Sequence, residues 1–102
     1  MTPLESFTRL KAVGVSVEML DHDDIGFYRV TPDGRVTVPD THATALLCNA
    51  VLEKWPYLCV RQRRSGPWLV QDWEQGSPIV MEAPTRLAAL TLAAEAKHKG
   101  GK

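Results

Sequence analysis

The sequence predicts an α+β domain: a mostly antiparallel sheet with helices packed on it, in the order α-β-β-β-α-β-β-β-α. Three observations carry that expectation. Three segments place apolar residues at the three-and-four spacing of a helix face, behind residues that cap helices. Between them lie short β-branched and aromatic runs separated by turn signals, which favours hairpins. The chain has 102 residues, 44% of them hydrophobic and 24% charged, enough for one core without disulfide or metal staples.

Thr2-Pro3-Leu4-Glu5 opens the first helix, with Thr2 as cap, Pro3 at the first helical position and Glu5 completing a capping box. Leu4, Phe7 and Leu10 make its apolar face, and Gly14 ends it in a left-handed conformation. Val15 to Leu20, rich in β-branched residues, reads as the first strand. Asp21-His22-Asp23-Asp24 reads as a polar loop and Ile25 to Thr31 as the second strand. Thr31-Pro32-Asp33-Gly34 is the clearest turn, and Arg35 to Val38 returns as the third strand, with Val36 and Val38 on one face.

Asp40 is the expected cap of the second helix, whose stripe is Ala43, Leu46, Leu47, Ala50 and Val51 and which Trp55-Pro56 stops. Tyr57 to Arg64, Trp68 to Trp73 and Pro78 to Glu82 complete the strands, joined by turns at Ser65-Gly66-Pro67 and Glu74 to Ser77. Ala83-Pro84-Thr85 opens the third helix, which runs to about His98. Leu87, Leu90 and Ala94 form its stripe, and Ala88, Ala89, Leu92 and Ala93 widen it until a neighbour is needed on most sides. The domain is expected over residues 1–98, with 99–102 as a flexible tail. A faint echo at an offset of 44 residues matches Val36 with Val80, Thr41 with Thr85, Ala45 with Ala89, Leu46 with Leu90 and Ala50 with Ala94.

Lys+Arg and Asp+Glu are both 12, so the formal net charge is zero. That argues against a general polyanion binder and removes a barrier to self-association. Cys48 and Cys59 sit in apolar surroundings and read as free thiols in a reduced cytosol. No basic stretch followed by a long apolar one opens the chain, and no apolar run approaches the roughly 18 residues of a membrane helix. The expected location is therefore cytoplasmic, with no membrane contact.

From Val38 to Lys97 the chain resembles a group of small phage and prophage proteins of unknown function, described as a phage-type α/β/α sandwich domain. The resemblance lies in a helix such as Asp40 to Trp55, strands with tryptophans such as Trp68 and Trp73, and the close Ala83-Pro84-Thr85-Arg86-Leu87-Ala88-Ala89-Leu90. It implies a bacterial or phage setting and a sheet with helices on its faces. It carries over no active site. The first helix and the Asp21–Asp24 loop lie outside it.

Four groups of residues can carry chemistry. Arg61, Arg63 and Arg64 lie on one strand beside Trp68, a combination that suits a protein interface. The same residues could contact a phosphate backbone and stack on a base, or could form a charged face that discourages edge aggregation. Asp21, His22, Asp23 and Asp24 could hold a hard cation and support a metal-dependent enzyme, but they lack the glycine and distal glutamate of a calcium loop. Trp55, Trp68 and Trp73 read as core, and either strand tryptophan becomes a binding anchor if exposed. Cys48, Cys59, His22, His42 and His98 offer nucleophiles and bases, without a nucleophile elbow, a phosphate-cradling loop or a zinc pattern.

The reading that follows is a non-enzymatic binding domain with no catalytic residues, metal or cofactor. Its partner is a host protein or its own copies, and inhibition of a host defence is one form this could take. Its surface is the strand pair Tyr57–Trp73. Nucleic-acid binding through Arg61, Arg63, Arg64 and Trp68 is the alternative, and metal-assisted chemistry at Asp21–Asp24 the third reading.

Overall fold

Thr2 caps the first helix as the sequence predicts. In the computed structural model, which describes residues 1–76 and 79–100, its hydroxyl accepts the Glu5 N–H at 3.1 Å and α1 spans Pro3–Ala12. The end of α1 uses Gly14 in the left-handed region (φ +81°), with Gly14 N–H on Lys11 C=O at 3.2 Å and Val15 N–H on Leu10 C=O at 2.9 Å. This double cap buries Val15 against Leu10 and removes it from any strand. The expected strand Val15–Leu20 is therefore not formed. Leu20 N–H closes a turn onto Val17 C=O at 3.1 Å, Met19 takes a φ of +66°, and β1 is only Leu20–His22, which keeps the last residue of the expected strand and takes Asp21 and His22 from the segment expected to be a loop.

The remaining elements follow in the expected order: β2 Phe27–Thr31, β3 Gly34–Val38, α2 Asp40–Lys54, β4 Leu58–Gln62, β5 Trp68–Asp72, β6 Ile79–Ala83 and α3 Arg86–Gly100. Asp40 is not the cap of α2. Pro39 takes that position, no side chain caps the helix, and Asp40 instead places its charge in the first turn, where it faces the positive end of the helix dipole. Trp73 leaves the ladder to start a 3-10 turn over Trp73–Gln75. Of the expected strand Pro78–Glu82, Pro78 lies outside the described residues. Lys99 and Gly100, expected in the tail, continue α3.

The fold class is as expected, and every pairing is antiparallel, but the strands form two three-stranded sheets, β1-β2-β3 and β4-β5-β6, rather than one. The 15-residue α2 carries the chain about 22 Å between them at the usual helical rise. Each half is thus a meander followed by a helix. The 44-residue echo falls on equivalent places: Val36 in β3 and Val80 in β6, Leu46 and Ala50 in α2 and Leu90 and Ala94 in α3.

The two meanders are buried very differently. α3 packs on β4, β5, β6, α1 and α2. Leu87 to Thr91, Ala93 and Ala94 are all buried, and the alanines let the neighbouring backbones come close. The Thr91 hydroxyl, fully enclosed, donates to Leu87 C=O at 2.7 Å. The opposite face of β4-β5-β6 is open, with Arg61 and Glu82 exposed. The first sheet reaches the core only through Leu20, Phe27 and Val38, with Phe7 of α1 edge-on to Phe27 at 5.7 Å between ring centres. By register Val36 shares a face with Phe27 and Val38, yet it is 58% exposed. The β2–β3 hairpin therefore overhangs the core. The molecule measures 47 × 34 × 18 Å, and its radius of gyration of 14.1 Å exceeds the ~13 Å usual for this length.

Candidate functional site

The β4–β5 pair is set by Gln62 opposite Trp68, Arg61 opposite Leu69 and Leu58 opposite Asp72. Alternation then sorts the side chains. Leu58, Val60, Gln62, Trp68, Val70 and Asp72 share the face toward α3. Cys59, Arg61, Leu69 and Gln71 share the open face. The structure thus separates the tryptophan from the arginine it was expected to accompany. Trp68 is half-buried against the core, while Arg61 stands on the other side of the sheet.

Arg61, Arg63 and Arg64 stay together. Arg63 N–H donates to Pro67 C=O at 3.0 Å and Gly66 N–H to Arg63 C=O at 2.9 Å, which shapes a tight loop with Ser65 at φ +54°. The loop holds Arg63 and Arg64 beyond the end of β4, and Arg61 Nη1 donates to Gln71 Oε1 at 3.3 Å. With Gln62, Leu69 and Gln71 the three arginines line an open depression of about 370 Å³, floored by the apolar Leu69.

Three other cations of the fold are matched to carboxylates. Arg9 forms a two-pronged pair with Glu95, whose hydrogen bond raises the guanidinium pKa. Arg35 reaches Asp23 at 2.9 Å and lies 4.4 Å over the Tyr28 ring. Lys97 reaches Asp72 at 2.8 Å. Among the described residues, no carboxylate lies within ion-pair distance of Arg61, Arg63 or Arg64.

At the other end of the same strand pair is a site the sequence reading missed. Asp72 is 2% exposed on the face toward α3, where Lys97 meets one carboxylate oxygen and Glu74 N–H the other at 3.0 Å. This pair floors a cleft of about 160 Å³ walled by Lys54, Trp55, Pro56 and Tyr57. Trp73 N–H donates to Tyr57 C=O at 2.9 Å, and both aromatic side chains are more than half exposed. The signal was an acidic residue at an inward position of an apolar strand, Trp68-x-Val70-x-Asp72.

The Asp21–Asp24 group does not converge. Asp21 Oδ1 accepts its neighbour's N–H, from His22, at 2.8 Å. Asp23 accepts Ile25 N–H at 2.8 Å and Gly26 N–H at 3.2 Å and pairs with Arg35. The Ile25 bond first, then those from Gly26 and Arg35, hold its carboxyl below the usual aspartate range. His22 points to the other face, edge-on to Phe7 at 5.0 Å. Among the described residues no group of three His, Cys, Asp or Glu is placed to hold a metal. Cys48 is buried in α2, where loss of hydration pushes its thiol pKa up; Cys59 is half-buried on the open face, and His42 and His98 are exposed.

No described helix is long and apolar enough to cross a membrane. The chain matches no family model, no curated protein and no solved structure.

Proposed function

We propose that the domain acts by binding an acidic segment of another protein at the arginine loop of the β4–β5 hairpin, without catalysis. One observation carries this reading: three exposed guanidinium groups share one depression, and among the described residues no carboxylate lies within ion-pair distance of any of them. A guanidinium binds a carboxylate in a planar two-pronged geometry, and Leu69 adds an apolar floor. Protein is favoured over nucleic acid because Trp68, the stacking surface a base would need, faces α3 on the other side of the sheet. Net charge zero also withholds the long-range attraction that polyanion binders use. The resemblance to small phage proteins supports a host protein as the source of the acidic segment.

The test compares the intact chain with its Arg61→Ala/Arg63→Ala variant. Both should melt at the same temperature, because neither side chain enters the core. Affinity for a glutamate-rich peptide probe, and capture of host proteins, should fall about tenfold or more in the variant, as for interface arginines. Equal binding by both proteins, or a salt-sensitive shift of DNA or RNA stronger than peptide binding, would overturn the reading.

A further inference from the structure

We infer that β3 pairs edge to edge with β3 of a second copy of this chain, around a two-fold axis through Val36. The four outer strands of the two sheets are defended unequally. β1 is only three residues long. β4 carries Arg61 and runs into Arg63 and Arg64. β6 is broken by a bulge, since Met81 faces Val70 while Ile79 faces Gln71. A short edge, charge and a bulge are the usual devices against strand addition. β3 runs over five residues, Gly34-Arg35-Val36-Thr37-Val38, with no bulge and a single charge. Its one charge, Arg35, is drawn to the sheet's outer face by Asp23 and Tyr28.

The register makes this edge self-complementary. Thr31 and Gly34 flank a two-residue turn, so they exchange backbone hydrogen bonds, and alternation assigns Val36 and Val38 to the same inward set. The N–H and C=O groups of Arg35 and Thr37 then point away from β2. Antiparallel pairing about Val36 sets Arg35 opposite Thr37 of the second copy and Thr37 opposite Arg35. Both free donors and both free acceptors of each strand are satisfied, and no like charges face each other. Val36 meets its own counterpart as a closely spaced pair, covering a side chain that is 58% exposed in the single chain. The zero net charge offers no long-range repulsion between copies. A closed two-fold contact of this kind ends at the dimer. The area is small, so association is weak and concentration-dependent. None of this rests on the arginine loop, which lies in the other sheet.

The experiment is sedimentation velocity of the full chain across a wide concentration range, with three variants. The wild type should shift from monomer to dimer as concentration rises. Thr37→Pro removes a donor that β2 does not use, and should stay monomeric with an unchanged circular dichroism spectrum. Should that variant unfold, Val36→Lys reads the same point by setting two like charges against each other, and it too should be monomeric. In a Cys59→Ser background, Val36→Cys should cross-link under mild oxidation, because Cα atoms of such a pair sit about 4.5 Å apart, within disulfide range. Ile25→Cys, 92% exposed, should link far more slowly. A wild type that remains monomeric throughout, a folded Thr37→Pro dimer, or a Val36→Cys chain linking no faster than Ile25→Cys overturns the inference. Arg61→Ala/Arg63→Ala should dimerise normally, so failure of one proposal is distinguishable from failure of the other.

Discussion

The two meanders have the same strand order and are followed by helices of equal length, yet only the second is sealed. α3 lies along all three of its strands and buries Leu58, Val70 and Ala83. The first meander meets the core through three side chains and leaves four of the five residues of β3 exposed. Repetition of a pattern therefore does not repeat its burial. A helix whose buried face carries alanines can enter a crowded centre; the helix that follows the first meander does not do the same for β3. Stability is concentrated in the second half, and spare surface in the first hairpin and the arginine loop.

The largest test of that contrast is truncation in the two regions. Leu90→Ala, at a fully enclosed position of α3, should cost about 2–5 kcal/mol, measured by denaturant unfolding. Val36→Ala, chemically similar but in the overhang, should change stability by no more than about 0.5 kcal/mol. Comparable losses at both positions would mean that the first hairpin is as well packed as α3.

Next in size is the ion pair that ties α3 to the end of β5. Asp72→Ala should cost about 3 kcal/mol, since it leaves the largely buried Lys97 ammonium with the more distant Glu74 carboxylate, at 3.9 Å, in place of a direct hydrogen-bonded partner. The Asp72 hydrogen bond, with Coulombic support from Asp72 and Glu74, raises the Lys97 pKa above the ordinary 10.5. A raised lysine contributes stability in full below its ordinary value and loses it as pH climbs through the folded one. The gap between wild type and Asp72→Ala should therefore be constant through neutral pH and narrow above about pH 10.5.

The smallest effect belongs to the first meander and has the opposite sign. Asp23, held below its ordinary 3.8 by the Ile25 N–H, contributes above that value and loses its contribution as pH falls through the lowered one. Asp23→Ala should flatten the acid limb of the melting curve and leave the alkaline limb as in wild type. An unchanged acid limb would show that the turn and the Arg35 contact do not matter to folding.

Much of this was legible in the sequence because local chemistry decides it. Thr2, Gly14, the Thr31–Gly34 turn and Trp55-Pro56 act on backbone within a few residues of themselves, and each sits where expected. What was not legible depends on distant partners. Val15 has strand propensity, but the cap on Leu10 consumes it. Whether Arg61 and Trp68 share a face depends on strand register, and a slip of one residue would have reversed the answer. Asp72 and Lys97 are 25 residues apart and meet only because α3 returns across β5.

Residue-resolved amide hydrogen exchange at several protein concentrations bears most directly on the claim that one meander is sealed and the other keeps an open edge. Amides of β5 and the middle of α3 should exchange only through global unfolding at every concentration. Those of Arg35 and Thr37 should exchange freely at low concentration and gain protection as copies pair. Slow exchange of Arg35 and Thr37 at the lowest concentration, matching β5, would contradict the account.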